Sequence, residues 1–250
     1  GKSITKSFFL QNTGTADKTV VIRVIPFNKS DKEGNPEINL KNQAAWQSYF
    51  NLSNTNIKLN EPFNLKADTK EQIILSISIP ETANLEDLYA NLLVSTYDNT
   101  LPNEQKGTQV SATIGANLLI TITSEVDPKT ITKIEKIYIT SGNFLKIGRR
   151  FFIDNLSPFT IGAIATNNGN FLSEVKGTFK ITRPNSEVVS VQGLQPVFLI
   201  AKSSRNLYNS DGKLFIYTPN LNQIGTYNAQ INIKTENTNS TNSIEIIFLP

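Results

Sequence analysis

The sequence contains no cysteine, no histidine and no methionine. Without cysteine, the chain has no disulfides, no thiolate metal ligands and no thiol nucleophile. Without histidine, it lacks the commonest general base and the commonest ligand of transition metals. We therefore expect no catalytic residues, no metal site and no cofactor. These absences still leave open a glycosidase, because that chemistry needs only two carboxylates.

Charged residues are also scarce, at 18% of the 250 residues, and the formal net charge is only +3. Binding to nucleic acid needs a clustered basic face. The only adjacent arginines, Arg149 and Arg150, are followed directly by Phe151 and Phe152, which favours a solvated strand end. We therefore expect no nucleic-acid partner.

Long apolar runs are absent as well, since none approaches the roughly 20 residues that a membrane helix needs. The sequence starts at Gly1 and has no methionine, so we expect a processed or truncated product. Any signal peptide or membrane anchor would then lie outside this sequence. We expect an extracellular protein of the bacterial cell surface that meets a membrane only through such an anchor.

The sequence does contain a regular alternation of apolar and polar residues, interrupted by Gly, Asn, Pro and Asp. This pattern is typical of half-buried strands joined by turns. Turn signals recur about every ten residues and no helical periodicity persists, which favours a β-sandwich over an α/β sheet. We predict Asn-x-Gly turns at residues 12–15 and 167–170. We also predict a short strand at 56–59 and one helical turn at 85–88.

A polar segment at residues 124–129 separates two similar halves. We predict an all-β protein of two tandem immunoglobulin-like β-sandwich domains, residues 1–125 and 126–250. The first domain begins directly on a strand, and we expect it to lack a leading strand and to expose a sheet edge. Because exposed edges recruit strands from other chains, a strand from a neighbour or from upstream sequence could complete this domain. Simple truncation is the alternative.

Both halves carry segments that resemble a known family. The first half reads FFLQNTGTADKTVVIRVIPF, then IILSISIPETANLEDLYANLLVSTYD and SATIGANLLITIT; the second reads FTIGAIATNNGNFLSEVKGTFKIT and IGTYNAQINIKT. The order of strands, Pro-terminated strand and acidic turn resembles the bacterial WxL-interacting proteins, a cell-surface family with tandem immunoglobulin-like domains. The resemblance implies export, a C-terminal membrane helix as anchor, and binding to peptidoglycan or host ligands.

Three aromatic residues, Trp46, Tyr49 and Phe50, stand close together in the first half. Aromatic rings can stack on the apolar face of a sugar, and they can equally plug one end of a sandwich core. We retain Trp46, Tyr49 and Phe50 as candidate ligand-contact residues, with core packing as the alternative.

Asp31, Glu33 and Asn35 have an alternate spacing that resembles a calcium loop. Pro36 stands where the EF-hand pattern needs glycine, and the distal glutamate is not in place. We therefore predict a solvated loop at this position.

Three functions are compatible with these features. The first is a non-catalytic bacterial cell-surface module for binding or adhesion, whose partner is another surface protein or a cell-wall glycan such as peptidoglycan. The second is a structural subunit of a surface layer or fibre that self-associates through sheet edges. The third is a periplasmic chaperone-like protein, since those also pair two such domains. That third function would need a basic cleft for client C-termini, and the sequence supplies no clear pair of residues for it.

Overall fold

The computed structural model describes residues 1–97, 112–125 and 128–250 of the chain. The protein is all-β, as predicted, and the only helical segment in these residues is a 3₁₀ helix, Ala45–Tyr49. No helix in the described part is long and apolar enough to cross a membrane. Residues 126 and 127 of the predicted linker lie outside the described residues.

The chain divides into two compact units, each an immunoglobulin-like β-sandwich. The first unit comprises Gly1–Asn28 and Pro36–Ile122, and the second comprises Lys29–Asn35 and Thr123–Pro250. The short segment at 29–35 thus belongs with the second unit although it lies within the first half of the sequence.

Seven strands are present in the described residues of the first unit: β1 (Lys2–Asn12), β2 (Lys18–Pro26), β3 (Phe50–Leu52), β4 (Pro62–Leu65), β5 (Thr69–Ile79), β6 (Asp87–Thr96) and β7 (Thr113–Thr121). They form two antiparallel sheets, with strand orders β1-β5-β3 and β4-β2-β6-β7. Alternate apolar side chains from both sheets meet in one core, as the period of a strand requires. The core residues include Val20, Ile22 and Val24 of β2 and Ile73, Leu75 and Ile77 of β5.

The described residues of the second unit form eleven strands: β8 (Thr132–Ser141), β9 (Phe144–Ile147), β10 (Arg150–Asp154), β11 (Phe159–Asn167), β12 (Ser173–Thr182), β13 (Val188–Gly193), β14 (Val197–Leu199), β15 (Ser204–Leu207), β16 (Phe215–Tyr217), β17 (Gly225–Lys234) and β18 (Asn239–Leu249). One sheet has the order β13-β12-β17-β18-β10-β9, with β14 also beside β12. In the other sheet, β11 pairs with β8 on one edge and with β15 and β16 on the opposite edge. Within the first of these sheets, β10 runs parallel to β18.

Two local predictions are wrong. Residues 56–59 form a loop rather than a strand, because the chain buries Ile57 and then turns at Asn60, whose φ is +66°. Residues 85–88 form no helical turn, since the chain bends there and enters β6 at Asp87.

Candidate functional site

A buried asparagine, Asn12, ends β1 in the first unit. Its side-chain Oδ1 accepts a hydrogen bond from the Gly14 N–H at 3.0 Å, which closes the turn that the sequence predicts. Its Nδ2 donates to three carbonyl oxygens, those of Ala16 at 2.9 Å, Leu65 at 3.1 Å and Lys66 at 3.1 Å. Asn12 therefore ties the end of β1 to the last residue of β4 and the residue that follows it.

The second unit repeats this arrangement at the end of β11. Asn167 Oδ1 accepts the Gly169 N–H at 2.9 Å. Its Nδ2 donates to the carbonyl oxygens of Phe171 at 2.8 Å, Leu199 at 3.2 Å and Ile200 at 3.3 Å. The hydrogen bonds match one for one, so Asn12 and Asn167 occupy equivalent positions, and β1 corresponds to β11.

The correspondence extends through the facing sheets. The order β2-β6-β7 in the first unit matches the order β12-β17-β18 in the second. Both sets run from the strand after the asparagine turn to the last strand of the unit. The two units are thus built on one plan, and their differences can be located strand by strand.

The two units differ at the side where β1 and β7 lie. In the second unit, β8 covers the outer edge of β11, and β10 covers the outer edge of β18. In the part of the first unit that the structure describes, β1 pairs only with β5, and β7 pairs only with β6. Among the described residues, the outer edges of both strands therefore have no strand paired to their backbone N–H and C=O groups.

An apolar pocket opens between these two free edges, with a volume of ≈ 130 Å³. One wall comes from β1 and the other from β7, while core residues of β2 and β6 form the floor. Its rim is exposed, since 60% of Ile114 is accessible to solvent. We call this pocket the open groove and define it by Phe8, Leu10, Ile22, Leu92, Ile114 and Ala116.

The groove has little charge of its own. The exposed residue Phe9 also borders the pocket, and the Lys70 ammonium lies 4.0 Å from the centre of its ring, a cation–π contact. Apolar side chains and free backbone groups therefore dominate the chemistry of this surface, which suits an extended polypeptide better than a charged small molecule.

The aromatic residues selected from the sequence lie elsewhere in the first unit and do not line the groove. Phe50 is buried in β3, and Trp46 and Tyr49 of the 3₁₀ helix pack against the same core. The Trp46 and Phe50 ring centres are 5.8 Å apart. All three side chains thus contribute to core packing, and a ligand contact through the exposed parts of Trp46 and Tyr49 stays a prediction.

Asp31, Glu33 and Asn35, whose spacing resembles a calcium loop, form a hydrogen-bonded turn. Asp31 Oδ1 accepts the N–H groups of Glu33 at 3.0 Å and Asn35 at 2.7 Å, and Oδ2 accepts the Asn35 side-chain amide at 2.9 Å. These hydrogen bonds, above all those from Asn35, lower the pKa of Asp31. Among the described residues there is no group of three or more acidic side chains that could hold a metal ion.

No protein-family model matches the sequence, and no curated protein matches it. Several solved structures have a similar fold. One is the CsuC–CsuE chaperone–tip adhesion subunit pre-assembly complex of Acinetobacter baumannii, at 11% identity and TM-score 0.39 over 98% of this chain and 92% of that chain. Another is the Pseudomonas aeruginosa CupB2 chaperone, at 6% identity and TM-score 0.38 over 97% and 92%. A third is the E. coli chaperone DraB, at 11% identity and TM-score 0.37 over 96% and 88%. This likeness concerns the fold and identifies no site or partner.

Proposed function

We propose that the chain is a non-catalytic, exported protein-binding module that takes up an extended segment of a partner protein as an added β-strand. The single observation that carries this proposal is the open groove, an apolar pocket between two free strand edges. The edges offer hydrogen bonds to a partner backbone, and the groove offers an apolar site for a side chain of the partner.

Strand addition suits this surface for a physical reason. Free N–H and C=O groups on a sheet edge are satisfied by water until another strand replaces that water. Each large aliphatic side chain that moves from water into an apolar site contributes about 1.5–3 kcal/mol. The ordering of a flexible segment opposes binding by about 1–2 kcal/mol per residue, so neither the edge nor the pocket is sufficient alone. Both occur together on this side of the first unit, within the residues described.

Of the functions expected from the sequence, the chaperone-like one corresponds most directly to strand capture, because a chaperone must hold an extended client segment. A surface module that binds another surface protein would use the same groove. We therefore infer a protein partner and propose the chaperone-like role as the specific form of this function. A fibre subunit would instead fill the groove with a second copy of the chain.

The proposal is tested by selecting 12-residue peptides from a random display library on the immobilised 250-residue chain and measuring their affinities by calorimetry. The test variant is Ile114→Glu, which places a charge at the rim of the groove. The matched control is Val191→Glu, since Val191 is 57% exposed on β13, an edge strand that belongs to a sheet of the second unit and does not line the groove.

We expect peptides with alternating apolar residues, and we expect Ile114→Glu to weaken their binding by about tenfold or more, equivalent to about 1.4 kcal/mol. Val191→Glu should leave the affinity unchanged, and thermal unfolding should confirm that both variants fold. The proposal fails if no peptide is selected, or if the selected peptides bind Ile114→Glu as tightly as the original chain.

A further inference from the structure

The second unit contains its own example of a strand in the position that is open in the first. There, β8 pairs antiparallel with β11, the equivalent of β1. Three isoleucines of β8 point into the core of the second unit and are buried: Ile134, Ile137 and Ile139. The side chains and direction of β8 therefore indicate what the open groove is shaped to accept.

The equivalence of Asn12 and Asn167 shows which residues of β1 correspond to the residues of β11 that pair with β8. Two residues before each asparagine stand Leu10 and Ala165, and four residues before stand Phe8 and Ala163. In the second unit, Ile134 lies opposite Ala165, and Ile137 lies opposite Ala163. The positions opposite Leu10 and Phe8 in the first unit therefore correspond to those of Ile134 and Ile137.

The other wall of the groove gives the same register. Ten residues after each asparagine stand Ile22 and Gly177. The strand pairing leads from Ile22 through Val94 to Ile114, and from Gly177 through Ile233 to Ser240. Ile114 thus corresponds to Ser240, whose Oγ accepts the Ile134 N–H at 3.2 Å. The registers of both walls, each counted from the equivalent asparagines, place the equivalent of Ile134 inside the open groove.

The sizes of the residues in the β1 wall determine the volume that is left in the groove for side chains of a bound segment. Leu10 and Phe8 are larger than Ala165 and Ala163, so they already fill part of the space that β8 occupies in the second unit. The remaining ≈ 130 Å³ is close to a cavity of about 150 Å³ that holds benzene. The groove therefore has room for one large aliphatic side chain rather than for the row of three in β8.

We infer that the partner segment runs antiparallel to β1 and places one isoleucine, valine or leucine opposite Leu10, in the open groove. The partner is an extended segment of another polypeptide that carries one such large aliphatic side chain at this position. This inference rests on the proposed function and adds the direction, the register and the class of side chain recognised.

The probe is a synthetic peptide with the sequence of residues 130–141, TITKIEKIYITS, added to the isotopically labelled 250-residue chain. Two further peptides serve as controls: the same residues in reversed order, and the peptide with Ile134→Asp. We expect the first peptide to bind. The affinity of the Ile134→Asp peptide should be lower by about tenfold or more, because a carboxylate cannot enter an apolar pocket without a large free-energy cost.

Direction is read from a nitroxide label on either end of the peptide, which broadens nearby amide resonances. Since Thr132 pairs with Asn167, a label on the N-terminal end should broaden resonances near Asn12. A label on the C-terminal end should instead broaden resonances near Thr5. Broadening with the ends exchanged, or equal affinity of the Ile134→Asp peptide, overturns the inference.

The failures of the inference and of the proposed function are distinguishable. If library peptides bind in the groove but run parallel to β1, the inference is wrong and strand capture stands. If no peptide of either set binds, both are wrong. Sedimentation of the chain alone tests the remaining occupant: a dimer that Ile114→Glu dissociates would show that a second copy fills the groove, which contradicts a separate partner.

Discussion

The two units share the asparagine turn, at Asn12 and Asn167, and the same order of strands. The sheet edge beside this turn is open in the first unit and covered by β8 in the second. Most residues of β11 are buried, because β8 lies beside it and closes the sandwich. The equivalent strand β1 is exposed from Lys2 to Ser7. The comparison shows that the Asn-x-Gly turn determines only the local backbone at the end of β1 or β11. Whether the neighbouring sheet edges are covered depends on other strands, such as β8 and β10, that lie far from the turn in sequence or are absent from the described part of the first unit.

The largest expected effect comes from truncating a core side chain of β10, the strand that covers the outer edge of β18 in the second unit. Phe151 and Ile153 of β10 are buried in its core, and Phe151→Ala should cost about 3–5 kcal/mol of unfolding free energy. Urea unfolding followed by circular dichroism should show a destabilised transition. The only tryptophan, Trp46, lies in the first unit, so its fluorescence should report an unchanged transition. Unaltered unfolding by both signals would refute the role of β10 in closure.

A smaller loss of stability is expected when either of the two equivalent asparagines, Asn12 and Asn167, is replaced. Asn12→Ala and Asn167→Ala each leave carbonyl oxygens without their donor, at a cost of about 1–3 kcal/mol. The loss should be larger at Asn167, because its side chain is completely buried while 8% of Asn12 is exposed. Asn51→Ala, at an exposed position of β3, is the control and should change stability little. Equal stability of all three variants would contradict the equivalence of the two asparagines.

The smallest effect concerns pH and the first unit alone. Hydrogen bonds from the Ala67 N–H at 2.8 Å and the Asn64 side-chain amide at 3.2 Å lower the pKa of Asp17. A lowered pKa stabilises the fold above the ordinary Asp pKa of about 3.9, and this contribution is lost as the pH falls through the folded-state pKa. The urea midpoint measured by Trp46 fluorescence should therefore depend less on pH in Asp17→Asn between about pH 6 and pH 3. An identical pH dependence would exclude this role.

Local patterns in the sequence account for much of the fold. Alternation of apolar and polar residues predicts long strands such as β5 and β17, because each has one buried face. The same signal misses β9, whose four residues are all exposed, and β15, in which only Leu207 is buried. A strand without a buried face leaves no period in the sequence, so pattern reasoning could not find it.

The site was only partly accessible from the sequence. An exposed edge was expected where the first unit begins on β1, but the groove also needs β7 as its second wall. The proximity of β1 and β7 depends on how the two sheets face each other, which brings residues about a hundred positions apart together and leaves no local signal. The side chains that form the pocket, such as Phe8 and Ile114, look in the sequence like ordinary strand residues. The aromatic cluster at Trp46 was the more visible feature, and it lies against the core instead.

Native-state hydrogen exchange along β1 and β11 tests the central claim most directly. In an antiparallel strand, alternate N–H groups point to opposite edges. If the outer edge of β1 is open, every second amide of β1 should exchange roughly 100-fold faster or more than its neighbours, while β11 should be protected without alternation where β8 covers it. Uniform protection along β1 in the free chain would mean that its outer edge is already paired, and the account of an open first unit would be wrong.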